Sequence, residues 1–187
     1  MTAVAKILTG RDEAIGNTGW QTPAAVFDEI EAEFGPFDLD PASAHGSYVA
    51  SKVDHYCTPE GFFKREGLEY TRISADHGLD YCWDWHNRVF VNPPYRRVTD
   101  WVRKGAESAK EGALVVMLLI PSTDARWFHR YVWDKRLHRP REGVEVRFLE
   151  GRIRFVHPDP AKRETDFKGF RPISGNMLVI FHPEQPL

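Results

Sequence analysis

Apolar and polar positions along this chain fall into a few sharply different regimes. The clearest is residues 113–120, Ala113-Leu114-Val115-Val116-Met117-Leu118-Leu119-Ile120, an unbroken apolar run. With no polar residue alternating, the run predicts a strand covered on both faces, as parallel sheets require. Val89-Phe90-Val91 predicts a shorter strand over 88–91. Residues 99–110 between them predict a helix capped by Thr99 and terminated by Gly112. The three make a β-α-β unit. Upstream, Thr22-Pro23 reads as a helix start, with Thr22 as side-chain cap and Pro23 as first helical residue. Val26, Phe27, Ile30 and Phe34 then share one face, and Gly35-Pro36 ends the helix. Phe37-Asp38-Leu39 predicts a strand that finishes at Asp40-Pro41.

After Pro121 the spacing of Trp127, Phe128, Tyr131 and Val132 predicts another helix. Val144–Leu149 and Arg152–Val156, joined by Glu150-Gly151, predict a hairpin, and Met177–Phe181 one further strand. Residues 46–87 carry no clean period. Residues 1–19 contain three glycines and little apolar patterning, and read as a flexible lead-in. Alternating strands and helices followed by an antiparallel element imply an α/β three-layer sandwich with a mixed sheet ending in an antiparallel hairpin, a single domain over 20–187.

Composition agrees with that picture: 187 residues at 42% hydrophobic content suit one core. The longest apolar run is too short to span a bilayer, and the first residues lack the apolar core of a signal peptide, so a cytoplasmic protein with no membrane partner is expected. Cys57 and Cys82 show no ligand-type spacing, so neither a disulfide framework nor a metal is expected. Charge adds something new. Residues 1–87 hold 6 Lys and Arg against 15 Asp and Glu, and residues 88–187 hold 19 against 12, a split of −9 and +7. Such asymmetry points to a polyanionic partner.

The chemistry concentrates in Asn92-Pro93-Pro94-Tyr95, directly after an apolar strand. The exocyclic amine of adenine is a poor nucleophile because its lone pair is delocalised into the ring. A site that methylates it needs acceptors for two N–H bonds and a wall for the ring. The Asn92 side-chain oxygen and the Pro93 carbonyl, aimed by a stiff Pro-Pro turn, supply the acceptors, and Tyr95 the stacking surface. Positioning and electrostatics then carry most of the rate, with no strong general base. An adenine inside a duplex must be extruded to reach such a pocket, and Arg96 and Arg97 are placed to hold the flanking phosphates. Asp40-Pro41-Ala42-Ser43, at the end of the first strand, offers a carboxylate for a donor's ammonium group and small residues for close backbone approach.

Trp20-Gln21-Thr22-Pro23, Phe37 to Ser43, Asp76-His77-Gly78-Leu79 with Trp83 or Trp85, Val89 to Tyr95, Trp101-Val102 and Gly151 to Phe155 together resemble the phage-type, Dam-like DNA N6-adenine methyltransferases. The resemblance runs from about Trp20 to Phe181. It implies a Rossmann-like class I methyltransferase fold, S-adenosylmethionine as donor, adenine in double-stranded DNA as target, and a phage or prophage origin. It also implies that Trp20, Thr22 and Pro23 help to close the donor pocket and that an acidic residue contacts the donor's adenosine. The candidates for that acid are Asp76 and Asp80, with neither as the third alternative, because the chain has His77-Gly78-Leu79 where the family pattern has an acid before Gly-Leu. Asp54 is the candidate for the ribose hydroxyls.

Two stretches remain for reading DNA. Residues 121–141 hold 6 Lys and Arg, 2 Asp and Glu and four aromatics, with Arg126, Arg130, Lys135, Arg136, Arg139 and Arg141 as candidates for phosphate or guanine contacts. The loop 157–172 is the second. The leading expectation is therefore a site-specific DNA adenine N6-methyltransferase. Its alternatives are transfer to an RNA guanine or protein glutamine amine, and a DNA-binding protein that keeps the fold without catalysis.

Overall fold

The computed structural model describes residues 20–44, 46–58, 61–65, 67–71, 77–157 and 174–184. Its elements in chain order are α1 (Ala24–Phe34), β1 (Leu39–Asp40), β2 (His55–Thr58), β3 (Gly61–Lys64), β4 (Gly67–Thr71), α2 (His77–Asp80), β5 (Arg88–Val91), α3 (Val98–Lys110), β6 (Leu114–Leu119), β7 (Trp133–Asp134), β8 (Arg139–Pro140), β9 (Val144–Phe148) and β10 (Met177–Phe181). Eight strands form one sheet in the order β4-β3-β2-β1-β5-β6-β10-β9, and β7 pairs with β8 apart from it. The centre is parallel, β1 against β2 and β5, and β5 against β6. Both flanks are antiparallel, β2-β3-β4 on one side and β6-β10-β9 on the other. The mixed α/β architecture agrees with the sequence reading.

Strand alternation divides the core between the two faces. Val89, Val91, Val115, Met117, Leu119, Val179 and Phe181 pack with Trp101, Val102 and Ala109 of α3. Phe90, Val116, Leu118, Leu178 and Ile180 pack with Phe27, Ile30 and Phe34 of α1. The unbroken apolar run of β6 is explained by this arrangement, since neither face meets water. Each such fully buried Val or Leu contributes about 1.5–3 kcal/mol relative to an exposed one.

Several expectations need correction. Within residues 46–87, where the sequence shows no clean period, β2, β3 and β4 form an antiparallel meander at one sheet edge, followed by the short α2. The hairpin over 144–156 does not form. β9 pairs instead with β10, while Val156 bridges to Gln21 through two backbone hydrogen bonds. Phe155 and Ile153 are thereby laid on the α1 core, where burying apolar side chains outweighs local hairpin pairing. After Pro121 the helical turn is a π-helix, Phe128–Val132, and it ends where Trp133 starts β7. Neither Thr99 nor Thr22 caps a helix: α3 grows out of a 3-10 turn, Tyr95–Arg97, and α1 begins from Pro23 without a side-chain cap. Among the described residues, no helix is long and apolar enough to cross a membrane.

Candidate active site

Parallel strands β1 and β5 deliver their carboxyl ends to one edge of the sheet, and the site is built there. Asn92 follows β5 directly, half-buried, with Pro93 buried and Pro94 exposed. The Asn92 Nδ2 donates to the Thr22 hydroxyl at 3.2 Å. Thr22, 4% exposed, comes two residues before α1. Its hydroxyl is therefore engaged with Asn92, which is why it caps nothing. The bond fixes the side-chain amide so that Oδ1 faces away from Thr22, and nothing else among the described residues donates to that oxygen. It remains an oriented acceptor in a partly desolvated setting, where a hydrogen bond is stronger than in water.

Tyr95 opens the 3-10 turn with its ring half-buried and its hydroxyl fully screened from solvent. Burial pushes the phenol well above its ordinary value; the nearby Ile120 N–H pulls weakly the other way without reaching hydrogen-bond geometry. The residue is a neutral aromatic whose buried polar tip lies near the end of β6 with no hydrogen-bond partner among the described residues.

On the next strand, Asp40 is 4% exposed. Its Oδ1 accepts the Ala42 N–H at 3.0 Å, and the Ser43 hydroxyl acts in the same direction. Burial outweighs both and raises the carboxyl to about 7. The turn is tightly held: the Ser43 N–H donates to Cys57 O at 3.0 Å, and the Ser43 and Ser47 hydroxyls lie 3.2 Å apart. Gly78 of α2 presses against it from outside. A Cβ on Gly78 would lie 1.8 Å from Pro41 O and 2.8 Å from the Trp101 ring, so only glycine allows the contact. The Trp83 indole N–H donates to Gly78 O at 2.7 Å, locking α2 in place.

A second feature lies beyond β6. An open cleft of ≈ 760 Å³ is lined by Arg126, His129, Arg130, Lys135, Arg136 and Arg141 together with Asp124 and Asp134. The π-helix forms one wall and the β7–β8 turn the other. Asp134 Oδ1 accepts the backbone N–H groups of Arg136 and Leu137 at 2.7 and 3.2 Å, which sets the turn. Arg141 donates to His129 O at 2.9 Å and ties the two walls together. Six basic or imidazole side chains against two carboxylates give the cleft a positive field.

A sequence model of the DNA N-6-adenine-methyltransferase (Dam) family matches residues 13–187. The chain belongs to that family. A DNA N-6-adenine-methyltransferase of Escherichia phage T1 is 28% identical to it over 109 residues. That alignment covers 58% of this chain and 38% of the relative, so the chain spans well under half the length of the curated relative it matches. No solved structure matches.

Within this Dam-family chain the residues singled out from the sequence gather unevenly. Thr22, Asp40 to Ser43 and Asn92 to Tyr95 share one end of the sheet, with Pro23 leading into α1 and Trp20 packed at the border of the α1 core. Asp76 lies outside the described residues, as does the loop 157–172 apart from His157. Asp80 is exposed at the end of α2. Asp54 lies at the amino end of β2, opposite the carboxyl ends of the parallel strands β1 and β5, and pairs with Arg65 at 2.7 Å. Arg96 is exposed beside the tetrapeptide, whereas the Arg97 Nε is engaged by Asp100 at 2.8 Å. Arg126, Arg130, Lys135 and Arg136 meet in the cleft, joined by Arg141 but not by Arg139. Sequence reasoning missed Gly78 as the contact to Pro41 and Thr22 as the partner of Asn92. The one available signal for the second was a Thr-Pro pair inside a Trp-containing motif.

Proposed function

We propose that the protein transfers a methyl group from S-adenosylmethionine to N6 of an adenine extruded from double-stranded DNA. The observation that carries the reading is the Asn92 amide, held through its Nδ2 by Thr22 so that Oδ1 is the free acceptor at a strand exit. S-adenosylmethionine supplies an electrophilic methyl on a sulfonium. The chain's residues do the rest. Asn92 Oδ1 and the Pro93 carbonyl accept the two N6 hydrogens and draw the nitrogen toward tetrahedral geometry, while Tyr95 stacks on the ring. Asp40 fits a cationic ligand: a buried carboxyl raised to about 7 returns toward its ordinary acidity once an ammonium lies beside it. Pro41, Ala42 and Ser43 line the donor's approach, with Trp20 and Pro23 at its margin.

The fold fits this role as a class I, Rossmann-like methyltransferase, since donor and acceptor both meet at the carboxyl ends of parallel strands. The cleft around Arg126, Arg130, Lys135 and Arg136 suits a phosphate backbone, with Arg96 adding a cation beside the extruded nucleotide. A glutamine side chain in a protein substrate would have no use for that cleft, which favours nucleic acid.

The test is to incubate the protein with S-adenosylmethionine labelled in its methyl group and with unmethylated DNA, RNA or protein, then to identify the labelled residue. N6-methyladenine in DNA is expected. Label only on RNA guanine or protein glutamine would overturn the substrate, and DNA binding without transfer would overturn the activity. Replacing Arg130 and Arg136 by Gln should lower the dependence of log affinity on log salt by about 2.

A further inference from the structure

Asn176, just before β10, is 2% exposed, and among the described residues neither its Oδ1 nor its Nδ2 has a hydrogen-bond partner. Its backbone is well held, with Leu149 N donating to Asn176 O at 2.9 Å. A buried primary amide with both ends unpaired is destabilising in the protein alone and calls for an external partner. Its place in the sheet says which. Met177 of β10 pairs with Leu119 of β6, and Met117 of β6 pairs with Val91 of β5, so Asn176 and Asn92 stand at the same end of the sheet. Alternation puts Asn176 on the side of Leu178 and Ile180, which is the α1 face, and Asn92 on the side of Phe90, which is the same face. The two amides are two strands apart, a separation on the order of 10 Å.

Across this edge the order is Asp40 on β1, Asn92 after β5, Ile120 after β6 and Asn176 before β10. Donor and acceptor must approach the transferred methyl from opposite sides. With the donor's cation at Asp40 on one flank of Asn92, the acceptor base extends over the other flank, toward Asn176. From this we infer that Asn176 reads the ring edge of the extruded adenine, its Nδ2 donating to a ring nitrogen that the Asn92 and Pro93 acceptors leave free. This inference rests on the function proposed above and makes Asn176 a residue that distinguishes adenine from other bases. A base hydrogen-bonds most strongly where water is excluded, and its insertion requires the side chains over Asn176 to shift.

The test pairs activity with stability. Methylation mapping on DNA treated with the wild-type protein identifies its recognition sequence. Duplexes of that sequence then carry adenine, 7-deazaadenine, 3-deazaadenine or 1-deazaadenine at the target. Wild-type protein should lose about tenfold or more in kcat/KM on one deaza substrate, and Asn176→Leu and Asn176→Ala should lose a similar factor on adenine while ceasing to discriminate that analogue. Affinity for S-adenosylmethionine should be unchanged. Asn176→Leu should also raise Tm, because it removes two unpaired polar atoms while filling the same space. A fall in Tm, or undiminished and still analogue-sensitive methylation by both variants, would overturn the inference. Wild-type protein that methylates no DNA would instead overturn the function on which it rests.

Discussion

The two ends of the central sheet treat their polar groups in opposite ways. At the amino end, Asp38 Oδ2 accepts the N–H groups of Asn87 and Arg88, both at 2.9 Å. The Arg88 guanidinium in turn donates to the carbonyls of Phe34 and Gly35, which closes the last turn of α1. Two residues along the same segment, at the carboxyl end, Asp40 is buried with a single backbone donor. Among the described residues the Asn92 side chain is bonded by Thr22 alone, and the Asn176 side chain has no partner. Asp38 is satisfied within the fold, whereas Asp40, Asn92 and Asn176 are left short of partners among the described residues, which agrees with the ligand chemistry proposed for the carboxyl end.

Substitutions can break that contrast. The largest effect is expected from Asn92→Ala, which should lower the transfer rate roughly 10²–10³-fold by removing an acceptor aimed at the reacting nitrogen. Calorimetry should show donor affinity preserved; an active variant would remove Asn92 from the mechanism. Next comes pH. In its proposed role Asp40 must be ionised to bind the donor's cation, so donor affinity should fall by about tenfold per pH unit below its value of about 7. Asp40→Asn should weaken donor binding and flatten this profile.

The same residue makes a stability prediction. The folded carboxyl holds its proton more tightly than the ordinary value of 3.8, so its contribution is most favourable in acid and declines as pH rises from about 4 toward 7. Asp40→Asn should erase that decline, as Tm measured across the range would reveal. Thr22→Val, which keeps the shape and loses the hydroxyl, should cost about tenfold in kcat with little change in KM. Thr22→Ser should restore it; if Val and Ser behave alike, Thr22 does not orient Asn92. The smallest effect belongs to the other end of the sheet. Asp38→Ala should lower stability by about 1 kcal/mol, a modest figure because the carboxylate is partly solvated, and should leave transfer untouched.

Much of this contrast was legible in the chain. The apolar runs of β5 and β6 and the amphipathic spacing of α1 and α3 are local signals, set by side-chain period, and they came out within a residue or two. Asn92-Pro93-Pro94-Tyr95 could be read because a polar, proline-stiffened exit from an apolar strand is itself local. The partner of Val144–Phe148 could not. The segment nearest in sequence offered a turn, but the winning partner, β10, lies beyond a long connection and is chosen by the sheet it completes. Thr22 misled for a similar reason. Beside Pro23 it has the form of a helix cap, and only the fold brings a residue 70 positions away to compete for its hydroxyl.

By itself, then, the sequence determined where strands and helices lie in the regularly patterned regions, which tetrapeptide is the candidate for the chemistry, and which family the motifs resemble. Tertiary structure alone decided which strands are neighbours, which polar groups meet or stay unpaired, and that six basic or imidazole side chains share one cleft. The division has one physical cause. Period and turn chemistry act between residues a few positions apart, whereas register, burial and hydrogen-bond competition are settled between segments that meet only when the whole sheet closes.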